Sequence, residues 1–108
     1  MARDVEEEGI QVIRHIAMFR WKDDATDAQK KRAADEIATL PSLVPSIRAF
    51  ACGEDAGISQ GNYHFAVTAD FEDAGGYVAY RDNPDHRAMI DADILPIVAE
   101  RAGIQFEF

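Results

Sequence analysis

The sequence has only one cysteine, Cys52, so no disulfide can form within the chain. A structural zinc site built on several cysteines is excluded for the same reason. Sparse cysteine use fits a reducing compartment, and we predict a cytoplasmic location. Basic residues are also few, with 11 against 20 acidic ones and a net charge of −9. That balance argues against nucleic acid or an anionic membrane surface as a partner, because both attract a basic footprint.

Long apolar runs are absent as well. No stretch reaches the roughly 20 apolar residues of a membrane-spanning helix, and the N-terminus lacks the pattern of a signal peptide. The sequence also lacks a glycine-rich phosphate loop and closely spaced metal ligands, so we predict no cofactor and no metal. Residues 1–9 are polar and are predicted to form a flexible acidic tail. Residues 10–108 suffice for a single domain.

Hydrophobic periodicity and turn residues predict an alternation of strands and helices. In chain order we expect a strand at 10–21, a helix at 26–40, strands at 47–54 and 63–71, a helix at 73–80, a helix at 83–103 interrupted near Pro96, and a strand at 104–108. This β-α-β-β-α-β order is that of the ferredoxin-like fold, an α+β architecture with an antiparallel sheet and helices on one face. The other face carries Val12, Ile16 and Met18, so we expect a second copy to cover it in a homodimer.

The stretch from Tyr80 to His86 combines a tyrosine, a helix start and a histidine. Asn83 is a suitable N-cap and Pro84 suits the first helical position, which places His86 in the first turn of a new helix. Tyr80 then ends the preceding helix, and both side chains can point into one space. A phenol and an imidazole that line one cavity can transfer protons, or they can simply be packed and hydrogen-bonded.

Three segments together resemble the stress-responsive A/B barrel (Dabb) family. They are the histidine-containing strand 13–19, the Leu-Pro-Ser-Leu-Val-Pro segment at 40–45, and Phe71-Glu72-Asp73 followed by Tyr80 and Asn83-Pro84-Asp85-His86. The resemblance covers nearly the whole predicted fold. It implies a dimeric α+β barrel.

One branch of that family, the plant olivetolic acid cyclase, closes a linear polyketide by aldol condensation. The resemblance implies that His86 acts as the general base with Tyr80 beside it, and that His15 is a further catalytic residue in the pocket. The sequence differs from the cyclase pattern in two places. Asn83 replaces the first histidine of the His-Pro-x-His turn, and Phe65 stands where the cyclase has a third-strand histidine.

Two functional hypotheses follow. In the first, a cofactor-independent enzyme of the polyketide cyclase or lyase type holds an apolar, oxygen-rich small molecule between sheet and helices. Its predicted substrate-binding wall is aromatic and consists of Phe19, Trp21, Phe65 and Phe71. In the second, a non-catalytic stress-responsive or ligand-sequestering dimer keeps the same residues only for packing. A ligand-sized cavity lined by His15, Tyr80 and His86 favours the first hypothesis.

Overall fold

The computed structural model describes residues 11–108, so the predicted tail at 1–9 and the first residue of the predicted domain lie outside the described part. The elements in chain order are β1 (Ile13–Trp21), α1 (Asp27–Ala38), α2 (Leu40–Leu43), β2 (Ile47–Glu54), β3 (Phe65–Phe71), α3 (Ala74–Asp82), α4 (Pro84–Met89), a π-helical turn (Ile90–Ile94) and β4 (Val98–Glu107). This order agrees with the predicted ferredoxin-like α+β fold.

The four strands form one antiparallel sheet in the order β2-β3-β1-β4. Alternation along β1 buries His15, Phe19 and Trp21 on the face that the helices cover. The same alternation buries Phe65 and Phe71 at the two ends of β3. The aromatic and histidine side chains singled out from the sequence therefore share one side of the sheet.

Side-chain caps set the start of three helices. Thr26 and Gln29 form a capping box at α1, and the Asp73 carboxylate accepts a hydrogen bond from the Gly76 amide at α3. At α4 the Asn83 side chain accepts from the amides of Asp85, at 2.9 Å, and His86, at 3.1 Å. The predicted cap is confirmed, and it fixes His86 in the first turn of α4.

The core fills the layer between the sheet and the helices. Its most deeply buried large side chains come from both layers and are Ile37, Leu40, Val44 and Phe71. Ile37 lies with Ala33 on the buried face of α1. This layer anchors the helices over the sheet.

The predicted end of the last helix is wrong. We expected Gly103 to close that helix and a strand to follow at 104–108, but β4 begins at Val98 and Gly103 lies inside it, opposite Ala17 of β1. The physical reason is that Pro96 ends the helix outright, while β1 offers hydrogen-bonding partners to the whole of β4. The glycine is tolerated there because it sits beside open space in a strand.

The second face of the sheet is open in the single chain. It carries large apolar side chains of β4 and the chain end, namely Ile104, 57% exposed, Phe106, 40% exposed, and Phe108, 44% exposed. An ion pair between Arg14 and Asp70, at 2.7 Å, crosses the same face. No helix within residues 11–108 has the length and apolarity to cross a membrane.

Candidate functional site between the sheet and the helices

A cavity of about 270 Å³ lies between the sheet and the helices. Its floor is built from neighbouring positions of β1 and β4, where His15 faces Gln105, Ala17 faces Gly103, and Phe19 faces Arg101. In the middle pair, Ala17 contributes only a methyl group and Gly103 has no side chain. Larger groups on either side of this pair therefore frame an open space that a leucine or valine would have filled.

The structure brings His15, Tyr80 and His86 together at this cavity. The rings of Tyr80 and His86 are 4.2 Å apart between centroids, and those of His15 and Tyr80 are 5.4 Å apart. Tyr77 completes the cluster, with its ring centroid 5.1 Å from that of His15. All three predicted catalytic side chains are buried, with 4–8% of their surface exposed.

The end of α3 favours one tautomer of His86. Its Nδ1 lies 3.4 Å from the carbonyl oxygen of Arg81, and because a carbonyl only accepts, Nδ1 carries the proton. Nε2 is then the basic nitrogen. Burial lowers the pKa of His86 below its usual value, although the carbonyls of Arg81 and Tyr80 oppose part of that change. The imidazole is therefore neutral at neutral pH and able to accept a proton.

His15 is held in the opposite tautomer by Gln105. The Gln105 amide nitrogen lies 2.9 Å from Nδ1 of His15, and because an amide NH₂ only donates, Nδ1 accepts and Nε2 carries the proton. Burial, with smaller contributions from the charges of His86 and Arg101, lowers the pKa of His15 to about 4. His15 is thus a neutral hydrogen-bond donor over most of the pH range.

Tyr80 adds a second donor. Burial raises the pKa of its phenol to about 12, with Tyr77 contributing, so the hydroxyl keeps its proton at neutral pH. No fully buried polar side-chain atom in the described part of the chain lacks a partner. The Tyr80 hydroxyl forms no hydrogen bond with a residue in 11–108, and Tyr80 lines the cavity. The site therefore combines one neutral base with two neutral donors.

Three arginines, Arg81, Arg87 and Arg101, also line the cavity, and no acidic side chain from residues 11–108 lines it. Arg81 is engaged by the Asp82 carboxylate through two hydrogen bonds, at 2.9 and 3.1 Å. The sequence prediction missed Arg87 and Arg101, and it missed Gln105 as well. If β4 had been predicted at its full length, strand alternation would have placed Arg101, Gly103 and Gln105 on one face and so identified them.

The four aromatic residues of the predicted substrate wall have different positions. Phe19 lines the cavity. Trp21 is stacked on Phe19 with ring centroids 5.6 Å apart, and Phe65 lies beyond Trp21 at 6.1 Å. Phe71 packs against Tyr80 in the core, with the two ring centroids 5.3 Å apart. Phe65, Trp21 and Phe71 thus stand behind the residues that line the cavity.

His64 does not line this cavity. It is exposed, and its Nδ1 accepts a hydrogen bond from the Trp21 amide at 2.9 Å. No group of three or more potential metal ligands occurs among the residues that the structure describes.

Comparison with known proteins agrees with the fold. The model of the stress responsive A/B barrel domain family matches residues 13–108. A dimeric ferredoxin-like protein of unknown function from Thermobifida fusca is 40% identical with a TM-score of 0.83, and the match covers 100% of both chains. A Dabb family protein from Mesorhizobium loti is 27% identical with a TM-score of 0.75, and the match covers 89% of this chain and 95% of that one.

A more distant structure, the hydroxynitrile lyase of Passiflora edulis, has a TM-score of 0.80 at 14% identity. The match covers 92% of this chain and 94% of the lyase, and it bears on the fold alone. No curated protein sequence is significantly similar to the chain.

Proposed function

The chain belongs to the stress responsive A/B barrel domain family, and from this premise we propose that it binds an apolar, oxygen-rich small molecule in its cavity and removes a proton next to a carbonyl group. The observation that carries the proposal is the buried His86 at the cavity, whose Nδ1 lies 3.4 Å from the Arg81 carbonyl oxygen and whose ring centroid lies 4.2 Å from that of Tyr80. Because burial lowers the pKa of His86 below its ordinary value, the imidazole is available to accept a proton at neutral pH.

The proposed step uses the two tautomers in different roles. Nε2 of His86 takes the proton from the carbon, and the electron pair of the broken C–H bond moves to the carbonyl oxygen as an enolate. The Tyr80 hydroxyl and the Nε2–H of His15 donate hydrogen bonds to that oxygen. In a polyketide cyclase-type reaction the enolate carbon then attacks a second carbonyl of the same chain, whose oxygen receives the proton from the His86 imidazolium.

Benzoylacetone, a small β-diketone, is a suitable probe of this step. The protein should accelerate deuterium exchange of its methylene protons in D₂O above the uncatalysed rate, as followed by NMR. The His86→Gln variant should lose about 10²-fold or more of that acceleration, which is the usual contribution of a positioned general base. His64→Gln, which replaces a histidine outside the cavity, serves as the matched control. Full activity of His86→Gln would remove the assignment.

A ligand-sequestering role is the second candidate. It is favoured by the fixed partners of both histidines, since Gln105 holds His15 and the end of α3 holds His86. The same experiment separates the two candidates. Saturable binding of benzoylacetone without any acceleration of exchange supports sequestration, whereas exchange that depends on His86 supports catalysis.

Assembly forms the second part of the proposal. We infer that two chains pair through the open sheet face, because Ile104, Phe106 and Phe108 leave an apolar patch there. The related protein from Thermobifida fusca is described as dimeric. Burying two such faces against each other would give the dimeric α+β barrel that the sequence predicted. The cytoplasmic location stays a prediction.

The oligomer test has a natural control. Ile104→Asp places a charge at the centre of the proposed interface and should convert a dimer into monomers, measured as mass by sedimentation equilibrium. Ile58→Asp changes an isoleucine that is 90% exposed in the β2–β3 loop, and it should leave the dimer intact. A monomeric wild-type protein at micromolar concentration would contradict the proposed pairing.

A further inference from the structure

The charge of the cavity is opposite to that of the whole protein. The chain carries a net charge of −9, yet within residues 11–108 three arginines and no acidic side chain line the cavity. The three arginines are exposed residues at the wall of the cavity, so their guanidinium groups are open to solvent and to a bound ligand. Inside the cavity their charge is therefore not matched by an acidic side chain, although Asp82 lies outside it near Arg81 and Arg87.

The three arginines are not equivalent. Arg81 is neutralised by Asp82 in a two-bond pair. Arg87 and Arg101 form no ion pair with any residue in the described part of the chain. Arg87 follows His86 on α4, and Arg101 faces Phe19 across the β1–β4 pair. They reach the cavity from its two opposite layers, the helices and the sheet.

Their charges act on the proposed catalytic groups. Burial is the main cause of the lowered pKa of His86, and the positive charges of Arg87 and Arg101 lower it further. Arg101 also contributes to the lowered pKa of His15. The charges of Arg87 and Arg101 therefore both act on His86, and that of Arg101 also acts on His15. A bound anion between the two arginines would interact with the histidines over similar distances.

We propose that Arg87 and Arg101 select a ligand that carries a carboxylate, so that the substrate class is a β-keto acid or a similar oxo acid. A guanidinium presents a rigid fork of donors that matches the two oxygens of a carboxylate. The carboxylate then lies between the helix layer and the sheet, and the carbonyl chain extends toward His86 and Tyr80. This inference rests on the proposed function, because it assigns the ligand of the same cavity.

Two probes of nearly identical shape test it. Benzoylacetate carries a carboxylate where benzoylacetone carries a methyl ketone, so their difference in affinity reports the charge. Calorimetric titration of the wild-type protein should give at least about tenfold tighter binding of benzoylacetate, which is the effect expected of one charge-assisted hydrogen bond. Arg101→Gln and Arg87→Gln should each reduce that preference and leave benzoylacetone affinity within about twofold.

Arg48→Gln is the matched control, because Arg48 is an arginine of β2 that lies outside the cavity and is paired with Glu72 at 3.4 Å. It should keep the preference for benzoylacetate. A second readout is the NMR titration of His86. Bound benzoylacetate should raise the pKa of His86 by offsetting the two arginine charges, whereas benzoylacetone should not.

The outcomes are distinguishable. If benzoylacetone binds and exchanges its protons but benzoylacetate binds no better, the carboxylate assignment is overturned and the proposed function stands. If the preference survives in the Arg87→Gln, Arg101→Gln double variant, other groups hold the anion and the assignment is again wrong. If neither probe binds the wild-type protein, both the inference and the proposed function fail.

Discussion

His15→Gln should remove much of the acid sensitivity of the fold between about pH 7 and about pH 4. Burial lowers the pKa of His15 to about 4 in the folded chain, from 6.5 as the ordinary value. Between these two values the unfolded chain binds a proton at His15 that the folded chain does not bind. Stability therefore falls as the pH falls through this window, and it is fully retained above the ordinary value.

The magnitude follows from the separation of the two pKa values. A difference of about 2.5 between the two pKa values, at about 1.36 kcal/mol for each pH unit, gives a limit of about 3.4 kcal/mol per chain. With both titration curves taken into account, about 2 kcal/mol is lost by pH 5 and about 3 kcal/mol by pH 4. That loss is a large part of the stability of a small domain, which is about 5–15 kcal/mol.

The assay is urea unfolding at a series of pH values and one fixed protein concentration, so that any dimer contributes equally throughout. Glutamine can keep a hydrogen bond to Gln105 and does not titrate, and the comparison near pH 7 measures its structural cost separately. The difference between wild type and variant should shrink by about 2 kcal/mol between pH 7 and pH 5. Parallel curves for the two proteins would refute the reasoning.

Two further predictions concern the helix start and the cavity floor. Asn83→Ala removes the acceptor for two α4 amides and should lower the free energy of unfolding in urea by about 1 kcal/mol. Asp85→Ala, which changes an exposed side chain beside it, is the control. An equal loss of unfolding free energy in both variants would contradict the role of the cap. Gly103→Val should leave the fold intact, because a Cβ there meets only the Ile16 carbonyl oxygen at 3.6 Å. It should nevertheless abolish benzoylacetone binding in calorimetry, and unchanged affinity would show that the ligand lies elsewhere.

Much of the fold was predictable because local signals agreed with it. Ile16 and Met18 lie on the sheet face opposite the helices, as expected, and the capping residue Asn83 sets a helix start that the structure confirms. Tyr80 and His86 could be paired from the sequence because only a helix end and a helix start separate them. The cavity itself was not predictable, because it depends on which small residues face each other across two strands.

The error at Gly103 explains most of what was missed at the site. A glycine after a polar stretch is typical of a helix end, so β4 was predicted too short and Arg101 was assigned to a helix. In the structure Arg101, Gly103 and Gln105 share the cavity side of one strand. Tertiary pairing with β1 overrode the local signal. Arg87 was missed for a different reason, since an arginine in a short helix ordinarily lies on a solvated face.

The protonation state of the two cavity histidines tests the central claim most directly. Long-range ¹H–¹⁵N correlation spectra of the imidazole rings distinguish the Nδ1–H, Nε2–H and doubly protonated forms, and the His15→Gln and His86→Gln variants assign the signals. At neutral pH we predict a neutral His86 that is protonated on Nδ1 and a neutral His15 that is protonated on Nε2. A His86 ring that is charged, or protonated on Nε2, would contradict its role as the base.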